Sequence, residues 1–218
     1  MASSVQRREI PEQALRAAGG ERGVAVLEFA LIALPMLIMM FGVVVIGIDL
    51  GRAVQVAQLA RDADALFMRG APMYSVSAQN FLIQLGQNMN LQASGGDGLI
   101  TLSKIQFIPD PACGLPSDST YPNCTIGANR LVQRITIGNT TITGSSTHFP
   151  TAGAVSYDSL DQVNNYLTDN NAIINNFATS LQLKPLEISF VAEAYFQTTE
   201  VSLGSIQTSP GIYAQTFF

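Results

Sequence analysis

Tryptophan is absent from the 218 residues, histidine occurs once, cysteine twice, and Asp, Glu, Lys and Arg together make up only 12% of the chain. One histidine leaves a Ser-His-Asp or Cys-His arrangement a single possible base. That residue, His148, lies in a Thr/Ser/Gly-rich loop without Cys or His at ligand spacing, and reads as a solvated loop residue rather than a zinc ligand. A G-x-S-x-G elbow, a P-loop, a dinucleotide fingerprint and a compact acidic set are all missing, so neither catalysis nor a cofactor or metal is expected. The turn at 94–98 lacks the repeated acidic ligands of a calcium loop. Charge this sparse, about half the usual ~25%, does not suit a cytosolic domain. The net charge of -5, with no Lys/Arg cluster interleaved with aromatics, excludes nucleic acid as a partner.

What the chain has instead is an unbroken apolar run, FALIALPMLIMMFGVVVIGI, at 29–48. About 20 residues is the length a helix needs to cross the hydrocarbon core, and no polar face interrupts it. Pro35, Gly42 and Gly47 are compatible with a spanning helix. A cleaved signal peptide fits less well: the apolar core exceeds the roughly 7–15 residues of such segments, and no small-x-small site follows at 47–52. Arg7, Arg8, Arg16 and Arg22 precede the run, against Arg52 and Arg61 after it, a bias that keeps the N-terminus in the cytoplasm and exports everything beyond Asp49. The lipid bilayer is therefore the first expected partner.

One carboxylate, Glu28, sits inside the first apolar turns, where an acid costs about 2–3 kcal/mol at the helix centre and less near the interface. A helix dipole and headgroup contact offer one explanation. The spacing offers another. Cleavage between Gly23 and Val24 would make Glu28 the fifth residue of the mature chain, close to a free ammonium group. Gly followed by four apolar residues, Glu and an aromatic resembles the prepilin-peptidase site of the type IV pilin superfamily. The form G-VAVL-EF, continuing as ALIALP, resembles the TadE-like proteins of the tight-adherence (Flp) pilus system, whose motif runs roughly R-G-x-x-x-x-E-F-A-L-x-x-P. Arg22, Gly23, Glu28, Phe29, Ala30, Leu31 and Pro35 match it, with one extra residue before the proline. Gly51, Arg52 and Ala53, followed by AQLARDADALFMRGA, extend the likeness to about residue 71. The resemblance implies removal of a 1–23 leader by a prepilin peptidase. It also implies a minor pilin or pseudopilin, in contact with other pilins and pilus-assembly components, in the bacterial cytoplasmic (inner) membrane. The leader departs from the pattern in its length and in carrying Glu9, Glu12 and Glu21.

Beyond the membrane segment at 24–48, Ala53, Val56, Ala60, Ala63 and Phe67 form an apolar stripe, with Gln55, Arg61, Asp62, Asp64 and Arg69 mostly elsewhere. A helix from 22 to 69 would be about 70 Å long. Its distal part at 49–71 is read as a stalk ended by Gly70 and Pro72. An α+β domain at 72–218 is expected to follow, a small antiparallel sheet with one or two packed helices. Its parts are a helix capped by Ser77 with Phe81, Leu82, Leu85 and Met89 on one side, and strands at 99–108, 130–138 and 140–143 turning at Asn139. An amphipathic helical region at 157–183 and final strands at 186–203, ended by the Ser209-Pro210-Gly211 turn, complete it. Glu193, in FVAEAYF, resembles a carboxylate inside the last strand of many TadE-like proteins.

Cys113 and Cys124 flank a Pro/Ser/Asp/Asn-rich loop on the side expected to be oxidising, and a disulfide closing it would contribute about 3 kcal/mol. Sequons at Asn123 and Asn139 carry no weight in a chain whose resemblance is bacterial. Three functions compete: a processed minor pilin whose helix packs through Ala25, Ala30, Ala33, Gly42 and Gly47, an unprocessed membrane-anchored assembly factor that binds other envelope components, and an anchored binding or enzymatic module.

Overall fold

The computed structural model describes residues 12–111, 127–142, 152–174, 183–198, 202–203, 206–207 and 211–218. The chain falls into two compact units, Met1–Ile48 and Asp49–Phe218. Helix α1, Glu12–Met68, contains the boundary between them.

Among the described residues nothing packs against α1 in the first unit. Phe29 is 73% exposed and Val43 71%, and apolar neighbours all round the helix are bare as well. None of its most apolar 18-residue window is buried. A core helix of a soluble protein is mostly buried, whereas this one is long and apolar enough to cross a membrane and is covered by nothing.

In the second unit α1 changes character. Val56, Leu59, Ala60, Ala63 and Phe67 recur every three or four residues and are buried, which confirms the stripe at 56–67. The helix stops at Gly70, whose φ of 79° suits glycine. The Gly70 amide donates to the Phe67 carbonyl (3.0 Å) and the Ala71 amide to the Leu66 carbonyl (3.1 Å), the paired bonds of a Schellman end. Helix α2, Val76–Leu85, is capped by Ser75, whose side chain accepts from the Ala78 amide. The cap therefore lies two residues before Ser77. Of the expected apolar side only Leu82 is fully buried, while Phe81 remains 50% exposed.

Strands β1 (Gly98–Pro109), β2 (Gly127–Gly138), β3 (Ile188–Gln197) and β6 (Gly211–Phe217) form an antiparallel sheet in the order β2-β1-β3-β6, and β4 (Ser202–Leu203) pairs with β5 (Ile206–Gln207). The molecule is α+β. One sheet face, carrying Ile100, Leu102, Ile135, Ile137, Ala192, Ala194 and Phe196, shares a core with the buried stripe of α1 and with Leu82. The other, carrying Ile105, Leu131 and Val191, is covered by Val163, Ala172 and Ile174 from the long β2–β3 connection.

Three further expectations need correction. No strand forms at 140–142: the Asn139 side chain donates to the Gly96 carbonyl and accepts from the Thr141 amide, which closes a turn. No α-helix forms at 157–174, where the only helical piece is a 3-10 turn, Asn170–Ala172. Asp158 accepts from the Leu160 and Gln162 amides and Asp169 from the Asn171 amide. Asp161 and Asn165 adopt positive φ. Asp and Asn side chains that bond neighbouring amides offer the backbone an alternative to the helix, and here they prevail. The third correction is β6, which begins at Gly211, where the sequence reading had placed the closing turn.

Leu102→Ala should destabilise the second unit by about 2–5 kcal/mol as a buried cavity. Gly138→Ala should cost about 1–3 kcal/mol, because φ is 111° and a Cβ there would lie 2.3 Å from the Gly98 carbonyl oxygen. Urea-dependent proteolysis of the full chain in detergent measures both, and a wild-type midpoint for Gly138→Ala would contradict the β1–β2 closure described.

Candidate functional site

The motif residues all lie on α1. Gly23, Val24, Glu28, Phe29 and Pro35 occupy its exposed, apolar part, and a side chain at Gly23 would meet nothing within 4 Å. Val24 and Glu28, four residues apart, share a helix face. Among the described residues nothing covers this segment, so its chemistry is that of a bare helix presented to whatever surrounds it. The Gly23–Val24 peptide and Arg22 lie within the helical backbone. Gly19, Gly20 and Gly23 each weaken that turn by about 1 kcal/mol relative to alanine, which favours local opening. Cys113, Cys124 and His148 fall outside the described residues. Among the described residues no group of three or more His, Cys, Asp and Glu is arranged to hold a metal ion.

The second unit buries two acids at neighbouring positions of the fold, one on each face of the sheet. Asp64 is 0% exposed on the α1 face, and neither carboxylate oxygen has a hydrogen-bond partner. Burial pushes its carboxyl up to about 7, and the Ala192 backbone amide opposes this only in part, without completing a hydrogen bond. Asp64 stands mostly off the stripe expected from the sequence. Its spacing, four residues from Ala60 and one from Ala63, puts it on the buried stripe.

Glu193, 4% exposed, lies on the opposite face, next in sequence to Ala192. Tyr213 Oη donates to Glu193 Oε1 at 2.6 Å. Burial raises the Glu193 carboxyl to about 7, against the Tyr213 hydrogen bond and the Arg134 charge, which lower it. Arg134 Nε donates to Ser103 Oγ at 3.2 Å. Burial lowers the guanidinium pKa, and Tyr157 and Glu193 partly restore it. Arg134 on β2, Ser103 on β1, Glu193 on β3 and Tyr213 on β6 thus make a polar row with one member from each strand of the sheet. One hydrogen bond joins β2 to β1 and one joins β6 to β3, and the attraction between Arg134 and Glu193 spans the two pairs on the face that the 152–174 connection covers. The β1–β3 and β3–β6 registers place Thr101 and Gln215 opposite Glu193. Only Glu193 was singled out from sequence, because the other members sit in different strands and acquire meaning only through register.

No family model, no curated protein and no solved structure matches the chain.

Both raised carboxyls give stability the same pH dependence. Between about pH 4, where an unfolded carboxyl ionises, and about 7 the folded chain keeps protons that the unfolded chain has lost, so stability falls as pH rises through that window. Urea midpoints of the full chain should therefore be higher at pH 5 than at pH 8. Asp64→Asn should flatten the difference by on the order of 2–4 kcal/mol. An Asp64→Asn variant with an unchanged pH slope would show that Asp64 does not carry this burial cost.

Proposed function

We propose that the chain is a TadE-like bitopic membrane protein that acts as a minor pilin or pseudopilin in assembly of a Flp-type (tight adherence) pilus or a related secretion apparatus, and that it is not an enzyme. The N-terminus lies in the cytoplasm, the 24–48 segment crosses the bacterial cytoplasmic membrane, and the α+β unit is exported to the periplasmic or extracellular side. The observation that carries this reading is the junction itself: Gly23 followed by VAVL, Glu28 and Phe29, on a helix whose apolar surface has no protein covering. A charged side chain within such a helix calls for a partner. Cleavage between Gly23 and Val24 would supply one, since a new ammonium group at Val24 shares a helix face with Glu28 in the same chain or meets the Glu28 of a neighbour.

One observation favours the second reading, an unprocessed anchored assembly factor that binds other envelope components. The Gly23–Val24 peptide is helical, and a peptidase has to open that turn before it can act. The glycines at 19, 20 and 23 make that opening cheap, which returns the balance to the processed form.

Intact mass of the membrane-extracted chain, made with and without a co-expressed prepilin peptidase, separates the two. A species beginning at Val24 should appear only with the peptidase and disappear in Gly23→Arg. Glu28→Ala should still insert but should recover other pilins at least tenfold less well in pull-downs. Persistence of all 218 residues under every condition would remove the processed pilin and leave the anchored factor.

A further inference from the structure

Where α1 enters the second unit, one cleft of about 420 Å³ opens between the helix, the turn after α2 and the ends of β3 and β6. Its volume is in the range of small-ligand sites, about 300–1,000 Å³. Its floor is apolar, with Val56, Met89 and Ile212, and its rim carries one charge of each sign, Arg52 and Asp97. The two charges form no ion pair with each other. Arg52 is exposed and makes no hydrogen bond to any described residue.

Asp97 is held firmly in place. Asn90 Nδ2 donates to Asp97 Oδ2 at 2.8 Å. The Asp97 amide donates to the Asn90 carbonyl and the Asp97 carbonyl accepts from the Gln197 amide. Asn90 itself sits at a φ of 58°, so the turn is shaped to present that side chain. The second oxygen, Oδ1, is left for another donor.

A cleft with a free guanidinium and an oriented carboxylate, kept apart, is complementary to a molecule that carries a negative and a positive charge together. A simple anion would be repelled by Asp97 and a simple cation by Arg52. The position along the chain narrows the choice. Arg52 stands four positions after Ile48, so whatever the direction of the intervening backbone its Cα lies within about 14 Å of the last residue of the apolar run. Headgroups occupy about 5–7 Å beyond the hydrocarbon on each side, within reach of an arginine side chain.

We propose that this cleft binds the phosphoethanolamine headgroup of a membrane lipid, with the phosphate on Arg52 and the ammonium on Asp97 Oδ1. An Arg fork matches two phosphate oxygens. A primary ammonium has the N–H groups that a carboxylate accepts, which a trimethylammonium lacks. The trimethylammonium of a choline lipid is recognised by aromatic faces. The one aromatic side chain lining the cleft, Phe196, is 2% exposed and offers none. The proposal rests on the membrane reading of the 24–48 segment but not on cleavage at Gly23.

The test uses the full chain in vesicles of equal phosphatidylethanolamine and phosphatidylcholine, first floated on a density gradient and then released for native mass spectrometry. Phosphatidylethanolamine should be retained about five- to tenfold over phosphatidylcholine. Asp97→Asn should abolish that preference, and Arg52→Gln should reduce retention of both lipids at least fivefold. A chain that fails to float fails the membrane reading and takes the proposal with it. A chain that floats but retains both lipids equally, or whose variants behave as wild type, overturns the cleft assignment alone. Free phosphoethanolamine at millimolar concentration should not displace the lipid, and displacement would assign the cleft to a soluble ligand instead.

Discussion

Water cannot accommodate the surface that α1 presents between Val24 and Leu50. Each buried methylene is worth about 0.8 kcal/mol, so a run of Leu, Ile, Met, Val and Phe left bare on every side of a helix favours an apolar surrounding over water. The 24–48 segment is long and apolar enough to cross a membrane, and its backbone is already satisfied by intrahelical bonds. The second unit solves the opposite problem, with a core on each face of a four-stranded sheet. A single helix serves both demands by changing its pattern, from apolar all round before Ile48 to a stripe after it.

Within the second unit one acid is buried against each face of β3, Asp64 of α1 on one side and Glu193 of the strand itself on the other. Ala192 and Ala194 are small, as are Ala60 and Ala63 on α1, and small residues in one shared core allow a helix and a sheet to approach closely. Asp64 is caught in that contact without a partner. Glu193 is treated differently: Tyr213 donates to it, and Arg134 lies in the same polar row. The two carboxyls show burial with and without compensation, a difference of hydrogen bonding rather than of depth.

The elements that could be read from the sequence depend on neighbours a few residues away. The apolar run, the stripe at 56–67 and the Gly70 stop are properties of one helix. β1 and β2 were legible within two or three residues because Ile, Leu and Val alternate through them. The 157–174 connection departs from a helix although Leu160, Val163 and Leu167 fall at helical spacing, because the Asp158 and Asp169 side chains bond neighbouring amides and Asp161 and Asn165 take positive φ, which periodicity does not register. β6 was missed because seven residues of mixed polarity acquire meaning only against β3. The polar row was invisible for the same reason, since it depends on strand pairing, which sets Ser103 opposite Arg134 and brings Tyr213 within two residues of the position facing Glu193. The motif at 22–35 was legible as a string, but a bare helix adds no contacts that could test its role.

The register also sets an order of assembly. β6 pairs with β3, which pairs with β1, so residues 211–217 must meet a strand that lies some twenty residues earlier and that is itself bound to residues 98–106. A chain emerging from its N-terminal end can form α1 and the β1–β2 pair early, but its Glu193 has no tyrosine donor until Tyr213 has appeared. Until that moment the half-made sheet has an open side at β3. A cell that makes this chain would need to shield that side until synthesis has passed residue 217.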